Sequence, residues 1–253
     1  MTEYYIYKIL LGTVFTAAAA VFISLFIASA PYGRHTRRGW GPAIRAKIGW
    51  LIMESPAFFM MILMFITGRR QINFIAIIFL FMWSIHYFHR TFIYPFIMRG
   101  GNKNFPLLLV VFAILFNTVN GFINGYYLFT LSPVYSLDWL VDPRFIAGFI
   151  LFSSGIFINL QSDHILRNLR KPGEENYKIP SAGLFRYISC PNYLGEIMEW
   201  TGWAVATWSI AGLAFAVFTI ANLAPRAFSN HKWYVNSFSD YPEERKALIP
   251  FIY

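Results

Sequence analysis

Seven apolar runs dominate this chain, and they leave few folds open to it. They cover residues 9–30, 48–67, 72–87, 105–131, 144–160, 192–208 and 210–224. A helix of about 20 apolar residues crosses the hydrocarbon core of a bilayer. Inside that core every backbone N–H and C=O must find a partner within the protein, so only helices and closed barrels span it. Barrel strands alternate in polarity over about ten residues, whereas these runs are continuous. The expected fold class is all-α: a polytopic membrane protein of seven transmembrane helices, with residues 1–253 as one domain. The low charge content agrees, at 13% of residues against about 25% in soluble domains.

Several boundaries need a decision. Ala28-Ser29-Ala30 looks like a signal-peptidase site, but the preceding run is long and its leader carries Glu3 beside Lys8. The run therefore reads as a retained helix. Almost nothing joins 192–208 to 210–224, so these two form an antiparallel hairpin. The last run is short, and residues 226–253 read as a polar and aromatic tail. Pro172-Gly173 reads as the stop of the helix that begins near residue 144.

The charges fall between the runs. The net charge of +9 therefore reads as basic membrane loops rather than a nucleic-acid surface. If the C-terminus is cytoplasmic, that side carries 17 of the 21 Lys and Arg residues and the other side carries 4. This asymmetry matches the positive-inside rule. The lone cysteine, Cys190, excludes an internal disulfide and any multi-cysteine metal site, and no metal is expected. Nothing in the sequence requires an oligomer.

Polar residues inside apolar runs are the functional candidates. Glu54 precedes Pro56 in the second run, and desolvation there favours its neutral, hydrogen-bond-donating form. A structural pairing with a loop arginine is the alternative. His86-Tyr87-Phe88-His89-Arg90 offers a phenol donor and groups that suit anions, or simply an interfacial belt. Asn117, Asn120 and Asn124 share one helix face. The stretch 160–203 is the main polar interruption. Asn159 and Asp163 sit four apart, and Arg167, Arg170 and Lys171 follow at helical spacing. These cations suit phosphate groups or lipid headgroups. Asn192, Glu196 and Glu199 line one side of the next run. The tail adds Arg226, Asn230, His231 and Tyr234. No glycine-rich nucleotide fingerprint follows a strand, and there is no P-loop, so any nucleotide must be held by the helices themselves.

Together these motifs resemble the membrane-embedded steroid 5α-reductase family over most of the chain. The resemblance rests on Pro31-Tyr32-Gly33-Arg34-His35, Glu54-Ser55-Pro56, His86-Tyr87-Phe88-His89-Arg90-Thr91, Asn159 with Asp163, Leu169-Arg170-Lys171-Pro172-Gly173-Glu174, Asn192-Tyr193-Leu194-Gly195-Glu196, Glu199-Trp200, Arg226-Ala227-Phe228 and Asp240-Tyr241-Pro242. It implies a seven-helix bundle enclosing a cavity for NADPH and a 3-oxo-Δ4 steroid. The substrate would lie toward the N-terminal part and the cofactor mainly against residues 145–253. Glu54 and Tyr87 would hydrogen-bond the C3 carbonyl while hydride reaches C5. NADPH contacts would fall on Asn159, Asp163, Arg170, Tyr177, Asn192, Glu196, Arg226, Asn230 and Tyr234, with Tyr32, Arg34 and His89 as further contacts.

The chain departs from the family pattern at Met53, where an amide is usual, in Ser229-Asn230-His231, and in Gly100-Gly101-Asn102-Lys103. Two other readings remain open at this point. One is an S-adenosylmethionine-dependent membrane methyltransferase of the isoprenylcysteine type, which leaves Glu54 and Tyr87 without a task. The other is a lipid or sterol transporter, which the missing internal repeat disfavours.

Overall fold

A computed structural model describes residues 2–37, 39–171, 173–174 and 176–253. Seven long helices account for most of it: α1 (Thr2–Ile27), α2 (Ala46–Thr67), α3 (Phe74–Ile97), α4 (Leu107–Leu131), α5 (Pro143–Asn168), α6 (Pro191–Thr207) and α7 (Ile210–Ser237). All but α6 are long and apolar enough to cross a membrane. α6 has 17 residues and packs between α5 and α7. Large apolar side chains point outward along the bundle, among them Ile27, Ile66, Phe81, Leu115 and Phe157. In water such a surface would drive association. Here it is the lipid-facing belt of an integral, multi-pass membrane protein.

Local chemistry sets the ends. Asn73 caps α3 by accepting from Ala76 N at 2.9 Å, and Asp142 caps α5 by accepting from Arg144 N at 2.8 Å, with Pro143 at the first helical position. Ser209 caps α7 through Gly212 N. The α6–α7 turn is as tight as expected, with Trp208 in the left-handed region at φ 46°. Pro56 leaves the Ile52 carbonyl without its helical donor, and the Ser55 hydroxyl supplies one at 3.0 Å. In α3 the chain widens into a π turn over His89–Ile93, just ahead of Pro95, whose nitrogen has no proton to donate.

Two boundaries differ from the sequence reading. α5 runs eight residues beyond residue 160, to Asn168; its expected stop at Pro172 lies outside the described residues. The larger correction concerns the tail: α7 does not end near residue 224 but continues through Pro225 to Ser237. Proline inside a membrane helix is tolerated when neighbours satisfy the freed backbone groups. Arg226, Asn230 and Tyr234 therefore ride on a helix at spacings of four and share one face. Only residues after Ser237 form an irregular tail. It is pinned by Ser189 N donating to Lys246 O at 2.8 Å and by Arg245 Nη1 donating to Pro180 O at 2.9 Å.

Packing is tightest between α5 and α6. Gly148 and Gly155 of α5 face Gly202 and Gly195 of α6, spaced by seven on each helix. A Cβ added at Gly155 would lie 2.4 Å from Glu199 N, and one at Gly202 would lie 2.3 Å from Phe152 N. Small residues let helix backbones touch in this way within a membrane. The centre of the bundle is aromatic: Trp83, Trp200 and Trp203 are buried together with Phe79 and Phe215. Two of their indole N–H groups are satisfied across helices, with Trp83 donating to Ala57 O at 3.0 Å and Trp203 to Asn124 Oδ1 at 2.9 Å. At the basic end of the bundle, a two-stranded antiparallel ribbon joins the approaches to α2 and α4. It pairs β1 (Ala43–Arg45) with β2 (Asn104–Pro106).

Candidate active site

Two cavities meet inside the basic half of the bundle. The larger, about 450 Å³, is bounded by α1, α2, α3, α4, α6 and α7. Its walls are mostly apolar, including Leu109, Phe112, Phe116 and Phe218, with Glu54, His86, Tyr87, Arg90 and Glu196 among its polar groups. The smaller, about 160 Å³, is the more polar of the two and is lined by Arg34, His35, Ser189, Asn192, Asn230 and Tyr234 among others. Tyr32, Tyr193 and Arg226 border both. The Arg226 guanidinium contacts the Tyr32 hydroxyl and donates to Tyr193 at 3.0 Å. Tyr193 also accepts from Asn230 at 3.4 Å.

Glu54 and Tyr87 come from different helices and share the larger cavity. Asn117 holds Glu54 in place: its amide donates to the Met53 carbonyl at 2.6 Å and to Glu54 Oε2 at 3.3 Å. The α4 asparagines continue as a ladder, with Asn124 donating to Asn120 Oδ1 at 3.0 Å. Asn120 in turn neighbours Tyr87. The face-sharing of these three asparagines was visible in the sequence; their bracing of the two cavity residues was not.

Arg90 is the central cation. It lies 3.4 Å from Asp163 and 3.6 Å from Glu196, over the rings of Trp50 and Tyr94. A guanidinium this buried needs such carboxylate partners to offset lost hydration. Asn192 is held between the same elements: its amide donates to Asp163 Oδ1 at 3.4 Å and its carbonyl accepts from Asn159 at 3.0 Å. Asn159 and Asp163 thus stand behind the cavity wall, fixing Asn192 and Arg90, rather than lining either cavity. Arg90 was legible only as one of a basic pair; its helical offset of three from Tyr87 was the available signal.

Arg34 sits in an aromatic cage of Trp233, Tyr234 and Tyr177 and donates to the Tyr234 hydroxyl at 3.3 Å. Gly33, at φ 61°, turns the chain so that Tyr32 and Arg34 both reach the cavity region. Among the described residues Arg34 Nη1 is buried with no acceptor, which suits an anionic ligand. Arg170 stacks on Tyr177 at 5.0 Å, so this pair borders the cage. Burial pushes the Tyr32 hydroxyl up to about 12, with Arg226 pulling the other way, so Tyr32 stays a neutral donor. Burial likewise lowers His35 from the ordinary histidine value, against the hydrogen bond that Nε2 donates to Asn230 Oδ1 at 3.1 Å. His89 lies 6.4 Å from the Tyr94 ring and is in neither cavity lining.

Fold and site together define a class: an integral membrane protein with a large, mostly apolar chamber joined to a cationic, amide-rich one. Comparison with known proteins narrows this. Residues 103–253 match the model of the 3-oxo-5-alpha-steroid 4-dehydrogenase family. The chain is 46% identical to 3-oxo-5-alpha-steroid 4-dehydrogenase 1 of Macaca fascicularis, covering 88% of this chain and 84% of that protein. It is 45% identical to the Homo sapiens protein of the same name, over 92% and 90%. It is also 41% identical to steroid 5-alpha-reductase DET2 of Gossypium hirsutum, over 95% of each. The chain belongs to the 3-oxo-5-alpha-steroid 4-dehydrogenase family, a family of oxidoreductases.

Proposed function

We propose that this protein reduces the Δ4 double bond of 3-oxo-Δ4 steroids to 5α-steroids, with NADPH as reductant. The observation that carries the reading is the placement of Glu54 and Tyr87 on one wall of a mostly apolar chamber that adjoins a cationic one. A steroid is a rigid apolar body with a polar end, and the larger cavity offers it aromatic and aliphatic walls with those two groups at one place.

Hydride can add to the β-carbon of an enone only as negative charge moves onto the carbonyl oxygen. Glu54 and Tyr87 meet that oxygen as preorganised donors in a water-poor site, where such stabilisation is strongest. Asn117 occupies Glu54 Oε2, which leaves Oε1 for the substrate. The indole and benzyl walls exclude water.

The cofactor, when bound, supplies hydride. Arg34 and Arg226 are the residues that would hold its phosphates, with Nη1 of Arg34, which has no acceptor among the described residues, as the supporting observation. Asn192, Asn230 and Glu196 would meet its amide and hydroxyl groups. Asn159 and Asp163 act behind Asn192. Arg170, Tyr177 and Tyr234 would close the Arg34 end, and His89 is the most remote of the proposed contacts. Residues 1–253 form one domain in this reading, with the basic loops and the C-terminus on the cytoplasmic side, where NADPH is found.

The test is NADPH consumption by the purified protein with a panel of 3-oxo-Δ4 steroids, with the 5α product identified. Glu54→Gln and Tyr87→Phe are each expected to lower turnover while NADPH affinity stays near wild type. Both variants working at the wild-type rate would overturn the assignment.

A further inference from the structure

Resting on that reading, we infer that His86, backed by Glu199, is the acid that delivers the second hydrogen of the reduction to C4. Reduction of an enone takes a hydride at one carbon and a proton at its neighbour. Glu54 and Tyr87 are engaged at the oxygen. Of the other polar groups on the larger cavity, arginines do not give up protons. Glu196 lies against Arg90 as an acceptor. Tyr32 and Tyr193 are tied to Arg226. His86 remains.

Its geometry fits the role. Nδ1 of His86 lies 2.7 Å from Glu199 Oε1, across the α3–α6 contact, with both side chains almost wholly buried. The imidazole is fixed edge-on between Trp200, at 4.7 Å, and Tyr87, at 5.0 Å. With Nδ1 turned to Glu199, Nε2 is the ring nitrogen left for the cavity that His86 lines.

Glu199 itself is fully buried, and among the described residues neither of its oxygens has a hydrogen bond aligned on it; the close approach of His86 Nδ1 is the polar contact it makes. Its backbone is held by the Gly155 approach, at which an added Cβ would come within 2.4 Å. A bare carboxylate there would be very costly, so the carboxyl keeps its proton and presents it to Nδ1. The charged groups facing the pair are Arg90 and Glu196, while Glu54 faces the adjoining Tyr87.

The transfer balances. A bound reduced nicotinamide would supply the hydride for C5; the C4=C5 pair shifts toward the carbonyl oxygen and then returns to C4, which restores the C3 carbonyl. The Nε2–H bond breaks as C4–H forms, while the Glu199 O–H proton passes to Nδ1. The imidazole ends neutral with its proton on Nδ1. Glu199 ends briefly as a carboxylate, a charge that Arg90, the cation facing it, partly offsets. A proton from water restores the pair after product leaves.

The test uses Glu199→Gln and His86→Asn in the purified full-length protein with NADPH and testosterone. General-acid catalysis contributes about 10²–10⁴-fold. The expected result is a kcat lower by at least about 100-fold, with steroid KM and NADPH affinity within about twofold of wild type and a larger solvent deuterium effect. Separately, infrared difference spectra of the cofactor-free protein in H₂O and D₂O should contain a carboxylic-acid component besides the one that Glu54 contributes. Glu199→Gln should remove it, His86→Asn shift it, and Glu54→Gln leave it. Turnover within about twofold of wild type in both variants, or no such component, overturns the inference. So does a parallel loss of binding and thermal stability, which would mark a structural pair. If Glu199→Gln does not fold, the component in wild type and its shift in His86→Asn decide. A wild type that reduces no steroid refutes the functional reading instead, and the infrared result still tests the shared proton.

Discussion

Replacing Gly155 by Ala puts a methyl group where α5 and α6 have no room for one. The new Cβ would lie 2.4 Å from Glu199 N, 2.5 Å from Gly195 O and 2.8 Å from Glu199 Cα. Ordinary contacts begin near 3.4 Å, and all three atoms are backbone, so no side chain can swing aside. The helices must separate by about 1 Å, and overpacking of this kind costs about 1–3 kcal/mol. For a chain of this size that lowers the unfolding midpoint by about 2–12 °C.

The functional effect should be the larger one. The Asn159–Asn192 hydrogen bond and the Glu199–His86 contact both cross or adjoin this interface. A shift of about 1 Å at a catalytic site costs about 10²-fold in rate. The assay is thermal unfolding in detergent together with turnover and NADPH affinity. Gly12→Ala is the control: nothing lies within 4 Å of its added Cβ, and in a helix interior it should gain up to about 1 kcal/mol. If Gly155→Ala unfolds at the same temperature as Gly12→Ala and keeps full activity, the close approach of α5 and α6 is wrong.

Arg34→Ala and Arg226→Ala should each weaken NADPH binding by about 10- to 100-fold, as expected for lost charge-assisted hydrogen bonds of about 1.5–3 kcal/mol; calorimetric Kd values within twofold of wild type would remove them from the cofactor site. Asn117→Leu keeps the branching of the side chain but frees Glu54 Oε2, so kcat should fall about tenfold, the loss of roughly one hydrogen bond, while NADPH affinity holds; unchanged turnover would show that Glu54 needs no brace. Burial pushes the Cys190 thiol up to about 11. At pH 8 only about one part in a thousand is thiolate, so maleimide labelling should be slow, should rise about tenfold per pH unit toward pH 10 and should slow further when NADPH fills the adjoining cavity. Rapid, pH-independent labelling would contradict that burial.

Much of the architecture follows from local rules. A run of apolar residues long enough to cross a bilayer has only the helix available, because no water is present to satisfy its backbone. That reasoning places all seven helices and the α6–α7 turn. Periodicity also groups residues on single helices: Asn117 with Asn120 and Asn124, and Asn192 with Glu196 and Glu199. Where local rules mislead, the reason is again physical. Pro225 and the polar residues after it read as a helix end, yet α7 continues through them because Arg226 and Asn230 find partners in Tyr32, Tyr193 and His35.

The pairs that join one helix to another required the tertiary structure. Glu196 and Glu199 are three residues apart and chemically alike. The first turns to Arg90 at the edge of the cavity, and the second is sealed against His86. Glu54 meets Asn117, and Arg34 meets Tyr234 across 200 positions. Helical periodicity says which residues share a face, but not which faces meet. In a membrane, where hydrophobicity does not pull helices together, that choice falls to small-residue contacts and buried polar pairs. The glycines of α5 and α6 set how closely the backbones approach, and that approach places Glu199, Asn192 and Asp163 beside the cavities.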